Sequence, residues 1–193
     1  QSMMDLTEKL IVGAIRASGQ DLKIPWGETQ IDFTPPFARQ TYDDAFEAHT
    51  GVAANDHEKI KALAVKLGID PARKHPDVIK SEVFEEQVED RLVGPVFIYD
   101  YPASICPLTK RKRDNPDIAE RFELMIHGME LANAYTELND PDLQEALFSK
   151  QLEGLPEEES MAKMDRDFVR ALRNGMPPAG GCVVSVMAKL DGD

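Results

Sequence analysis

Apolar residues recur at Leu6, Leu10, Ile11 and Ile15, a three-and-four spacing that puts them on one face of an α-helix, and Gly19 follows where such a helix would stop. The pattern predicts an amphipathic helix over about Met3–Ser18. No turn or tail precedes it, and we take this as the mark of a chain cut from something longer. Gly27–Phe33 reads as a short strand or hairpin ended by Pro35-Pro36, which exclude helix. Phe37–Thr50 reads as a strand end followed by a helix capped by Thr41, with Asp43 and Asp44 in the first turn, where the helix dipole favours acids. Further helices are predicted over Asp56–Leu67 and about Ser81–Leu92.

From Pro95 the period shortens. Pro95–Pro102 is a buried strand, rich in aromatic and β-branched residues. Arg121–Asp140 then sets two alternating apolar runs around His127-Gly128, a pair suited to a two-residue hairpin turn. With that turn, Ile126 faces Met129, Leu124 faces Leu131 and Glu123 faces Ala132, so Glu123 and Glu130 become diagonal neighbours at ~7–8 Å. Two carboxylates so placed can share a hard cation. Asn133, Tyr135 and Glu137 fall on the other face, so metal and ligand sides separate unless a bulge between Glu130 and Asn133 unites them. An ordinary amphipathic hairpin with solvated glutamates is the competing reading.

A helix follows Pro141 to about Leu152, then an acidic stretch, Glu153–Ser160, a last helix over Asp165–Asn174, and a strand over Cys182–Met187. Strands joined by hairpins and separated by helical insertions argue for an α+β fold in one domain over 1–193: a largely antiparallel sheet with flanking helices.

Composition bounds the partners. With 193 residues, 42% hydrophobic and 30% charged, the chain can bury a single soluble core. No run approaches the ~20 apolar residues that cross a bilayer, and the N-terminus lacks a signal-peptide pattern, so a cytoplasmic protein without membrane contact is expected. A net charge of −13 opposes whole-surface binding of a polyanion, and the basic run Lys110–Arg113 reads as a solvated loop. Cys106 and Cys182 have no zinc-site spacing and are expected to be buried free thiols.

Several strings then fall in register. PLTKRKRDNPDIAERFELMIHGMELANAYTELNDPDLQ, the upstream DYPASICPL, the opening MMDLTEKLI and the closing NGMPPAGG resemble the C-terminal half of the catalytic domain of bacterial class II lysyl-tRNA synthetases, from Met3 to about Gly181. The resemblance implies part of the class II catalytic fold. It also implies that Glu123 and Glu130 hold the Mg²⁺ that bridges ATP phosphates, and that Asn133 and Glu137 hold L-lysine, with Tyr135 along its stem. A carboxylate is what the lysine ammonium requires in a desolvated pocket, so Glu137 is the specificity residue on this reading. The implied reaction is attack of the lysine carboxylate on the α-phosphorus of ATP, loss of pyrophosphate, and transfer of the lysyl group to tRNA, with no general base required.

The likeness also breaks. Motifs 1 and 2 of the family would precede residue 1, and in motif 3 Val183 and Ser185 occupy small positions while Ala188 occupies the arginine position. Lys189 stands one residue late and lacks the planar fork of arginine. We therefore expect this polypeptide by itself neither to form lysyl-adenylate nor to charge tRNA, and to expose an apolar face that favours a homodimer. Two further readings are a stand-alone lysine- or metal-binding regulatory module and a protein-lysylating synthetase paralogue.

Overall fold

The computed structural model describes residues 2–152 and 165–184; the acidic stretch Glu153–Ser160 and the tail positions Ser185, Ala188 and Lys189, with the rest of the strand expected to reach Met187, lie outside the described residues. Among the described residues five strands form the main sheet: β3 (Ala38–Thr41), β4 (Val96–Tyr99), β5 (Arg121–Ile126), β6 (Met129–Thr136) and β7 (Gly180–Val184), in that spatial order. β3 runs parallel to β4, and every other pair is antiparallel. A separate hairpin joins β1 (Lys23–Trp26) to β2 (Thr29–Asp32). The α+β class and the largely antiparallel sheet agree with the strand pattern of the sequence.

The sheet has two covered faces, and β4 and β5 are largely buried on both sides. On one, Val96, Ile98 and Met125 pack against α2 (Tyr42–Thr50), α3 (His57–Lys66) and α4 (Pro76–Gln87) through Tyr42, Phe46, Ile60, Ile79 and Val83. On the other, Phe97, Phe122, Leu124 and Ala134 pack against α1 (Ser2–Ala17) and β2 through Ile11, Val12 and Ile31. Helices α5 (Pro141–Leu152) and α6 (Arg166–Arg173) pair with each other, and Arg173 reaches Glu145 at 2.6 Å.

Local chemistry sets the helix ends. The Thr41 hydroxyl accepts from the Asp44 amide at 3.1 Å, and Asp56 does the same for Lys59 at 3.1 Å. Helix α4 corrects the sequence reading, because it starts at Pro76 rather than Ser81. Proline at the first helical position with Asp77 behind it is a stronger start signal, and the Ser81 hydroxyl, already mid-helix, donates to the Val78 carbonyl at 2.9 Å. Cys106 is buried as expected, whereas Cys182 on edge strand β7 is only half-buried.

The β5–β6 turn is His127-Gly128, with both residues at positive φ, 49° and 70°, as a twist-matched two-residue hairpin requires. Trp26 stacks on His127 at 6.5 Å, and the Thr29 hydroxyl lies 3.3 Å from its Nε2, so the β1–β2 hairpin is docked on this turn. A Cβ on residue 128 would fall 2.7 Å from Asp90 Oδ1 and 3.1 Å from the Asp90 Cα. Gly128→Ala is therefore expected to destabilise the protein by about 1–3 kcal/mol, read as a lower urea midpoint. Among the described residues no helix is long and apolar enough to cross a membrane.

A candidate metal and ligand site on the central hairpin

The hairpin register departs from strict alternation at one residue. Ile126 pairs Met129 as expected and Met125 pairs Glu130, but Leu124 then pairs Ala132 and Glu123 pairs Asn133. Leu131 is the extra residue of a β-bulge, so the expected pairs Leu124–Leu131 and Glu123–Ala132 do not form. The physical gain is on the two faces. Past the bulge Ala132 and Ala134 meet Leu124 and Phe122 in the α1-side core, and the polar residues are left together on the other side.

Residues directly opposite across a strand pair share a face, so Arg121, Glu123, Glu130, Asn133 and Tyr135 stand on one side, with Glu137 next in the alternation. The Asn133 amide nitrogen lies 3.4 Å from Glu123 Oε1 and 3.4 Å from Glu130 Oε2, so both carboxylates converge on it. Its oxygen accepts from Arg121 Nε at 3.3 Å. Glu123, only 7% exposed, takes an ion pair from Arg121 on Oε1 and a 2.6 Å hydrogen bond from the Tyr101 hydroxyl on Oε2. Burial pushes its carboxyl above the usual carboxylate range, and the charge of Glu130 adds to this, while Arg121 and Tyr101 pull it back.

Two converging carboxylates fit magnesium, which characteristically takes one or two protein carboxylates and completes its shell with water and substrate phosphates. Among the described residues there is no group of three or more His, Cys, Asp or Glu side chains arranged to hold a metal by themselves. Glu137 is half-buried at the end of β6, its amide bonded to the Ala179 carbonyl at 2.9 Å, and its carboxylate makes no hydrogen bond or ion pair to another described side chain. A cavity of about 550 Å³ opens at the same strand ends, lined by Arg121 and Tyr135 together with α1-side groups such as Met3, Phe122 and Ala134 and the Asp100–Lys112 pair. Glu123, Glu130, Asn133 and Glu137 do not line it.

Sequence reasoning did not single out Arg121, Tyr101 or Glu89. Glu89, in a 3₁₀ turn over Glu89–Arg91, has its carboxyl pushed up to about 7 by burial, and further by the charges of Glu123, Glu85, Asp90 and Glu130. With about 4.5 unfolded and about 7 folded, the native state binds the extra proton between those values, so this group's contribution to stability falls as pH rises through that window. Glu89→Gln is expected to raise the urea midpoint clearly at about pH 8 and much less at about pH 5. Burial also raises the Cys106 thiol, and its sulfur packs in the core on the α2–α4 side. The basic run is partly neutralised, with Lys112 paired to Asp100 at 2.6 Å.

Comparison with known proteins matches residues 1–186 to the family described as tRNA synthetases class II (D, K and N). The chain is similar to proteins named lysine–tRNA ligase. It is 44% identical over 193 residues to one from Thermoanaerobacter pseudethanolicus and 39% identical over 193 residues to one from Clostridium tetani, in each case covering 95% of this chain and 38% of the relative. A relative from Dehalococcoides mccartyi is 39% identical over 194 residues, covering 96% of this chain and 39% of its own length. The chain thus spans less than half the length of the curated relatives it matches.

Proposed function

This chain belongs to the class II tRNA synthetases (D, K and N), and from that membership we propose that it carries the part of a lysine–tRNA ligase that holds the amino acid and the magnesium of ATP. The observation that carries the reading is the bulge at Leu131. It brings Glu123, Glu130 and Asn133 together on the face of Tyr135, with Glu137 next in the alternation.

On this reading Glu137 receives the ε-ammonium of lysine, Tyr135 flanks the aliphatic stem, and the Asn133 amide contacts the bound amino acid. Glu123 and Glu130 would hold magnesium, which supplies charge neutralisation on phosphate oxygens when bound. The amino-acid carboxylate is already ionised at neutral pH and attacks the α-phosphorus directly, so the protein's task is placement, with no proton to remove. Transfer to tRNA is proposed only for a whole ligase, since this chain covers 38% of the length of the Clostridium tetani relative.

Isothermal titration with lysine and with norleucine, which has the same stem without the ammonium, tests the reading. Lysine is expected to bind and norleucine not; equal binding of both, or no binding of lysine, would sink it. Adenylate formation is a separate matter. Among the described residues of this face the guanidinium is that of Arg121, which is engaged by Glu123, and Val183, 71% exposed on β7, stands directly opposite Asn133. With no free phosphate clamp among the described residues of this face, the rate should fall by about 10³ or more, so lysine-dependent ATP–pyrophosphate exchange by the purified chain is expected at background.

A further inference from the structure

Arg121 makes contacts in four directions. Nη2 pairs with Glu123 Oε1, Nε donates to Asn133 Oδ1 at 3.3 Å, Nη1 lies 3.6 Å from Cys106 Sγ, and the guanidinium carbon sits 4.9 Å from the centroid of the Tyr101 ring. The arginine side chain is 23% exposed and that of Glu123 10%, so the contact is largely removed from water. Tyr101 is itself 5% exposed, and it grips the other oxygen of the same carboxylate. Because Arg121 donates to the Asn133 oxygen, the amide nitrogen is turned toward Glu123 and Glu130, which fixes the amide's orientation.

We propose that Arg121, seated on Tyr101, is a positioning residue that ties the cation side of the site to its amino-acid side, a single guanidinium setting both the carboxylate of Glu123 and the amide of Asn133. The proposal rests on the functional reading above for what the two sides bind. The geometry needs arginine: a lysine ammonium keeps the charge but has no planar fork to serve a carboxylate, an amide and an aromatic face at once. Tyr101 acts on Glu123 alone through its hydroxyl and on Arg121 through its ring. The two residues therefore have separable effects.

The test uses the ¹⁵N-labelled chain and reads the Asn133 side-chain amide pair by NMR, alongside Mn²⁺ affinity as the probe of the cation side. Arg121→Lys is expected to shift the Asn133 amide pair, speed its exchange with water, and weaken Mn²⁺ binding by about 10–100-fold, the usual effect of losing an outer-shell partner. Tyr101→Phe keeps the ring, and is expected to weaken Mn²⁺ binding while leaving the Asn133 pair in place. For lysine affinity, Arg121→Lys should add nothing to Asn133→Ala, since it acts through that amide. A merely structural role would move resonances across the whole spectrum instead. If the Asn133 pair stays unmoved in Arg121→Lys, the proposal is overturned. If the unmodified chain binds neither Mn²⁺ nor lysine, the functional reading fails, and the amide pair still decides whether Arg121 links the two side chains.

Discussion

Glu137→Ala is expected to remove measurable lysine binding. Truncating one partner of a hydrogen-bonded charge pair costs about 2–5 kcal/mol, roughly 30- to 4,000-fold in affinity. The carboxylate is suited to such a partner, because it is half-buried and makes no ion pair with another described side chain, so a bound ammonium would displace no cation among the described residues. Glu137→Gln separates charge from shape: it keeps the carbonyl acceptor, and it should recover only part of the loss. Titration of lysine into both variants checks this. Glu137→Ala binding lysine as tightly as the unmodified chain would mean that the ammonium is read elsewhere.

Much of the geometry of this candidate site was legible because it lies on a hairpin, where turn chemistry and alternation fix neighbours from the sequence. His127-Gly128 names the turn, and Ile126–Met129 follows from it. What periodicity cannot fix is a single unpaired residue, since a bulge is settled by tertiary fit: Leu131 is displaced so that the small Ala132 and Ala134 can sit against Leu124 and Phe122. That one residue decides whether Glu130 and Asn133 share a face. Arg121 and Tyr101 escaped notice for a different reason. They are 20 positions apart and meet only because the β4–β5 connection folds back, with the Ala119 amide donating to the Tyr101 carbonyl at 2.8 Å. Glu89 likewise approaches the hairpin only after α4 and its following 3₁₀ turn bring it there. The late start expected for α4 shows the local version of the same limit: serine and glutamate at 81 and 82 mimic a cap, and proline with the dipole-favoured Asp77 outweighs them.

The same division into faces yields a second large effect with the opposite functional signature. Phe97 is fully buried on β4, with its ring 5.3 Å from Phe122 at 85° and 6.1 Å from Phe37, and the Arg39 guanidinium 5.7 Å above it. Phe97→Ala is expected to cost about 3–5 kcal/mol through lost burial and the cavity left behind. Against a total of about 5–15 kcal/mol this is a large share, and at about 2–4 °C per kcal/mol it lowers the thermal midpoint by roughly 6–20 °C. Yet Phe97 points to the α1 side, while its neighbour Ile98 pairs with Glu123 on the other. The folded fraction at low temperature should therefore bind lysine as the unmodified chain does, so that stability is lost without affinity, the reverse of Glu137→Ala. Thermal melts and a lysine titration on the same sample measure both. A tenfold loss of affinity with an unmoved midpoint would show that the two faces of the sheet are not independent, and that the bulge does not partition core from site.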